Sequence, residues 1–294
     1  MKRLPILAII CLAASPLFAE EAQPWKLSVD ANLTFTQNNY SDNWTGGEAG
    51  TLAWVFNSNS LAEKQLNTKL FNKNTLKLFF GQTHNQNAES NAWSKPVKST
   101  DLIDFESVMR FTLGGWVDPF VGARIETQFL DASDLANKRY LNPATFTESF
   151  GVARVFIKEE KREFNARLGG AVRQLVDRDV YDSVADEKET FSSNDGGLIF
   201  DSEFKTTLSA DRISISSKLT VYKALAYSKK DDFAGTERAD YWKAPDVNWE
   251  NIFTAGITKY LMVNLYIQLL YDKEIDLGGR FKESMALGLT YKFI

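Results

Sequence analysis

His84 is the single histidine of the chain and its most obvious candidate for acid–base chemistry near neutral pH. A histidine base works only with a nucleophile and an orienting partner in reach. The surrounding Thr83-His84-Asn85-Gln86 lacks the His-x-Ser arrangement a membrane hydrolase would show, so His84 reads as structural and no enzyme is expected. Metal chemistry is equally bare. The one cysteine, Cys11, lies in the N-terminal apolar run, which leaves no nitrogen or sulfur set for zinc. An oxygen-only calcium site is conceivable among Asp177, Asp179, Asp182, Asp186, Glu187, Glu189 and Asp195, but the simpler reading is a solvated acidic loop. No catalytic, cofactor or metal site is assigned.

A different kind of chemistry attaches to Glu106, Arg124, Glu203 and Lys218. Each stands at a polar position of a segment whose alternate residues are apolar, such as Phe105, Ile125, Phe204 and Leu219. With a turn centred on Gly115, Glu106 lies across from Arg124. With a two-residue turn at Ala210-Asp211, Glu203 lies across from Lys218. Opposite charges placed so offset the cost of holding charge away from water, whereas a ring of one sign would select ions.

The elements that must carry these residues are strands. Alternation of apolar and polar residues recurs in about twelve segments. The first sets Leu27, Val29, Ala31, Leu33 and Phe35 against Ser28, Asp30, Asn32 and Thr34; a later one has Leu261, Val263, Leu265, Ile267 and Leu269. The segment from Thr145 to Lys158 breaks parity, because Phe146, Phe150 and Phe156 share it with Glu148 and Arg154, and a bulge is expected there. Mean hydropathy is −0.28 although 13% of residues are aromatic, and no run is long and apolar enough for a membrane helix. Short connections (Ala62–Gln65, Gly114–Val117, Glu159–Arg162, Ser209–Arg212, Thr258–Tyr260) alternate with long ones (from Asn38, from Thr83, from Asp131, from Gln174 and from Ala226). The expected fold is all-β, an antiparallel transmembrane barrel of about 12 strands with short periplasmic turns and long extracellular loops.

The N-terminus fits an envelope destination. Lys2 and Arg3 precede an apolar run and a small-residue site ending at Ala19, the pattern of a secretory signal. The expected division is a signal peptide at 1–19, a periplasmic lead at 20–25 and a barrel at 26–294. Losing two basic residues takes the net charge from −4 to −6, which argues against a nucleic-acid partner. The closing stretch carries Leu289, Tyr291 and Phe293 in alternation, which resembles the terminal signal read by the barrel assembly machinery; the last strand is expected to pair with the first and so end the chain.

Three stretches carry a family resemblance. NNYSDNWTGGEAGTLAW, then NKNTLKLFFGQT, then KSTDLIDFESVMRF resemble the N-terminal third of an uncharacterised outer-membrane barrel family, domain of unknown function 3078. The matching positions are Asn43, Trp44, Gly46, Gly47 and Glu48, then Asn74, Leu76, Leu78 and Gly81, then Thr100 and Asp101, with Leu102 where the family often has a second acid. The resemblance implies a Gram-negative outer-membrane location, with membrane lipid as surroundings, and brings no activity. A narrow pore or small-solute transporter is the expected function. The alternative is a structural, adhesive or assembly barrel acting through its external loops.

Overall fold

The computed structural model describes residues 24–292 except 42–48, 88, 135–136, 183–186, 209–211 and 259–260. The candidate signal, Trp44 and its glycines, the turn at Ala210-Asp211 and Phe293 therefore lie outside the described residues. The strands are β1 (Lys26–Asn38), β2 (Thr51–Asn67), β3 (Leu70–Asn85), β4 (Val97–Phe111), β5 (Asp118–Thr127), β6 (Leu130–Asp131), β7 (Arg139–Tyr140), β8 (Ala144–Lys158), β9 (Arg162–Asp182), β10 (Glu187–Leu208), β11 (Ile213–Tyr227), β12 (Pro245–Gly256), β13 (Leu261–Tyr271) and β14 (Arg280–Lys292). Twelve of them close into one antiparallel barrel in chain order, with β14 beside β1, while β6 and β7 form a separate small hairpin.

Pairing fixes the two faces. Directly opposed residues point the same way, so the row Leu33, Phe56, Phe80 and the row Phe105, Ile125, Phe146 belong to the outside. Phe35, Phe56, Phe105, Phe150, Leu168, Leu198 and Trp249 are exposed on that face. The outer surface is an apolar belt, and the fold is a transmembrane β-barrel. Aromatic neighbours tie adjacent strands along it, including Phe156 stacked on Phe164 at 5.2 Å and Trp54 beside Phe80 at 5.8 Å.

Local chemistry sets the strand ends. Between β2 and β3, Asn67 Oδ1 accepts from the Lys69 amide at 2.9 Å and turns the chain in two residues. Between β4 and β5, Asp118 Oδ1 accepts from the Leu113 amide at 3.0 Å, and Gly114 adopts a φ of 72° that favours glycine. Between β8 and β9 the Glu159 amide donates to the Arg162 carbonyl at 2.8 Å. These short turns share one end of the barrel, and the long connections share the other.

Three boundaries differ from the sequence reading. Ala62–Gln65 is strand and the chain turns at residues 68–69 instead, because Asn67 supplies the capping oxygen. The stretch from Gln174 to Asp195 is largely strand. β9 and β10 pair from Val176–Ser192 up to Asp182–Glu187, so they stand as a ribbon beyond the point where β8 leaves β9 at Val176. Its charges masked the alternation because both faces of a projecting ribbon are wet. The connection at residues 272–279 is a further long-side link with no counterpart in the sequence reading. The bulge in β8 falls between Val155 and Ile157 and leaves Phe156 exposed outside.

The loop before β8 docks on this ribbon through Asn142, whose side chain is fully buried. Its Nδ2 donates to Asp177 Oδ1 at 2.6 Å and its Oδ1 accepts from the Arg178 amide at 2.8 Å. Arg139 joins Asp131 at 2.5 Å and Asp177 at 2.9 Å.

The assignment of faces has a direct test. Leu265 faces the belt and Asn264 the lumen. Leu265→Lys is expected to cost about 2–4 kcal/mol of folding free energy, read by urea titration of refolding into vesicles, while Asn264→Lys costs under half of that.

Candidate functional site

The lumen holds the chain's concentrated polar chemistry. Register places Glu106 directly across from Arg124 on β4 and β5, and Glu203 across from Lys218 on β10 and β11. The side chains nevertheless bond elsewhere. Arg124 grips Asp104 through two hydrogen bonds, Nε to Oδ1 at 2.7 Å and Nη2 to Oδ2 at 3.0 Å, and touches Glu126 at 2.6 Å. Glu106 instead accepts from Arg167 at 2.6 Å and Lys218 at 3.3 Å. Glu203 is held by Lys73 at 2.6 Å and Lys205 at 2.8 Å. A carboxylate two residues along the same face gives a guanidinium a better planar fit than the residue straight across.

Most of these partners lie on opposite walls. Lys73 on β3 reaches Glu203 on β10, Lys77 on β3 reaches Glu250 on β12 at 2.6 Å, and Glu106 on β4 reaches β9 and β11. Phe79 on β3 meets Tyr266 on β13 with ring centroids 6.2 Å apart. None of these strand pairs is adjacent in the ring. The β3–β4 wall therefore lies against the β9–β13 wall, and transverse ion pairs cross the middle of the barrel. Asp104, Glu106, Asp201, Glu203 and Glu250 face Lys73, Lys77, Arg124, Arg167 and Lys218, so the lattice carries no net charge.

Toward the long-connection end a second cluster caps the lumen. Arg173 lies over the Tyr222 ring at 3.8 Å and bonds Asp195 at 3.0 Å and Asp246 at 2.7 Å. The Tyr222 hydroxyl donates to Asp195. Trp242, from the linker carrying the 3-10 turns Lys230–Phe233 and Tyr241–Lys243, packs on Ala171, Tyr222 and Ala224. Glu274, in the link between β13 and β14, has its carboxyl pushed up to about 7 by burial and by the nearby Asp272 and Asp246, with Arg173 opposing.

Other sequence candidates fall outside this set. His84 pairs across from Leu52 and shares the outward face with Phe80, remote from the lumen carboxylates. Asp177 and Asp195 serve ion pairs along the ribbon and wall, and among the described residues no cluster of three metal-binding side chains occurs. Leu289 pairs with Leu33 and Tyr291 with Ala31, closing the ring. The sequence reading missed Lys73, Lys77, Glu250 and Arg167. Parity alone marks Lys73, Thr75 and Lys77 as inward, but no turn geometry links them to strands on the far wall.

Residues 35–132 match the family model described as Protein of unknown function (DUF3078). This is the family whose resemblance the N-terminal stretches carry. Among curated proteins no sequence matches. Among solved structures, the chain is similar to the COG4313 outer membrane channel from Pseudomonas putida F1, with 14% identity over 95% of this chain and 98% of that one and a TM-score of 0.40. It is also similar to the translocator domain of autotransporter NalP from Neisseria meningitidis (8% identity, 91% and 87% coverage, TM-score 0.37) and to OprB from Pseudomonas putida (11%, 91% and 93%, TM-score 0.29). With scores this low the fold assignment rests on the strand ring, and function rests on this chain's own residues.

Arg124→Gln is expected to strand Asp104, not Glu106, and to cost about 3–5 kcal/mol by urea titration, with Asp104→Asn in the same chain restoring part of the loss. Glu274 adds a pH dependence. A raised folded-state value favours the ordered link below the ordinary carboxylate range and loses that contribution as pH rises through about 7. Amide exchange across residues 272–279, corrected for its intrinsic pH dependence, should speed up between pH 5.5 and 8, and Glu274→Gln should flatten the change.

Proposed function

We propose that this chain is a bacterial outer-membrane barrel that acts as a narrow, normally closed pore for small solutes. The signal-like N-terminus supports export to the envelope, and the apolar belt supports residence in a bilayer as a closed barrel. Short turns then face the periplasm and long connections the outside. Terminal assembly would use the cellular barrel machinery acting on the closing strand around Leu289 and Tyr291.

The observation that carries the reading is the transverse ion-pair lattice. Twelve strands enclose more space than an eight-stranded barrel filled by side chains, yet Lys73–Glu203, Lys77–Glu250 and the Glu106 bridges span it. Such bonds suit a gate, since they are strong while intact and leave charged walls when parted. Because the signs balance, the open state discriminates weakly between ions. The lumen side chains among the described residues are engaged in ion pairs, and the reading they support is transport.

Single-channel recording in planar bilayers tests this. The unmodified barrel should give small, infrequent openings with weak selectivity. Glu106→Gln strips both Arg167 and Lys218 of their shared carboxylate, and should raise open probability and shift reversal potentials toward anions. A barrel silent in both forms would favour the alternative, a structural or adhesive role presented by the β9–β10 ribbon.

A further inference from the structure

The ring is closed unevenly. β1 pairs with β2 along its whole length, Lys26 to Asn38, and β14 pairs with β13 from Arg280 to Leu289. Across the closing seam, however, β1 and β14 pair only from Asp30–Lys292 to Thr34–Gly288. Above Thr34 the register would continue with Gln37 opposite Met285, yet Phe35–Asn38 and Arg280–Leu287 stay out of any ladder with each other. An open sheet edge facing hydrocarbon leaves backbone donors and acceptors without partners, which bilayers do not tolerate. Something must occupy the gap.

The chemistry on its two sides says what fits. On the membrane side the flanking residues are apolar and bare: Met285 is 75% exposed, Phe281 61%, Phe35 59% and Leu287 56%. On the lumen side stands Lys282. Its ammonium donates to Thr100 Oγ1 at 3.2 Å and lies 5.8 Å from the Tyr266 ring centroid, and it makes no ion pair within 4 Å among the described residues. Register gives the depth. Lys282 pairs with Gln268, which lies opposite Glu250, so the Lys77–Glu250 bridge stands on the same rung, while the Phe79–Tyr266 contact two residues nearer the short-turn end forms a floor.

We propose that the unzipped half of the β1–β14 seam is a lateral portal between the lumen and the leaflet on the long-connection side. It takes single-chain anionic amphiphiles, carboxylates or phosphate monoesters, drawn from that leaflet. The chain lies along Phe35, Met285 and Leu287, the head group pairs with Lys282, and its oxygens accept from free amides of the strand edges. The portal rests on the membrane-spanning barrel and not on axial conduction.

Energy transfer from tryptophan to cis-parinaric acid in phosphatidylcholine nanodiscs tests it, with heat-modifiable gel mobility as the check on folding. Saturable transfer is expected, weakened roughly tenfold in Lys282→Ala, as loss of one charge-assisted bond implies, and absent with the neutral methyl ester. In the double variant Gln37→Cys with Met285→Cys, oxidation should lock the seam and abolish saturable transfer, and reduction should restore it. Transfer unchanged by the lock overturns the portal, and equal binding of acid and ester overturns the anionic class. Disulfide-linked dimers of a single Phe35→Cys variant at high yield would show a second copy filling the gap, and overturn it too. Conductance of the same preparation is read separately, so that binding without conduction sinks only the pore, and conduction without binding sinks only the portal.

Discussion

A sheet in a bilayer must satisfy its own backbone hydrogen bonds, and the rest of this structure depends on that requirement. Hydrocarbon offers no partner for a free amide or carbonyl, so the strands close into a ring. Closure then dictates the strict in-out alternation, since each strand has lipid on one face and lumen on the other. Leu33, Phe56 and Phe80 form one outward row because register, once set by a turn such as Asn67–Leu70, propagates along every ladder. Where an odd residue enters, as at Phe156, a bulge absorbs it and the outward row continues through Phe164.

The lumen obeys a second, weaker constraint. Charges placed there cannot all reach bulk water, so they neutralise one another. Arg124 with Asp104 does this within one wall, while Lys77 with Glu250 does it between walls. The second kind brings β3 and β4 onto the far wall and removes the round channel a twelve-strand ring would otherwise have. Shape in this barrel thus follows from electrostatics as well as from strand number.

These two constraints were unequally legible in the amino-acid sequence. Alternation in segments such as Leu261–Leu269 declared the strands, their faces and the ring, because period two is a local property. The cross-strand positions of Glu106 and Arg124 also followed from a short turn. Their actual bonds did not, since Arg124 prefers the planar reach to Asp104, and Glu106 answers to Arg167, 61 residues on. Contacts across a lumen have no register behind them and depend on how far the ring flattens. The ribbon of β9 and β10 was hidden for the opposite reason: it has no lipid face, so residues such as Lys188 and Glu189 erase the apolar period.

Closure and flattening also bear on each other. The run β14–β1–β2 joins the β3–β4 wall to the β9–β13 wall on one side of the ring. Ladders closed by tight turns, such as β2–β3, are held from one end by covalent connection. The β1–β14 seam has no such turn, because its strands are the first and last of the ring. Only hydrogen bonds hold this seam, and its ladder runs from Asp30 to Thr34 and parts above Thr34. The parted half of the seam lies level with the Lys77–Glu250 bridge and above the Phe79–Tyr266 contact, so the closing edge and the transverse contacts meet in one part of the barrel.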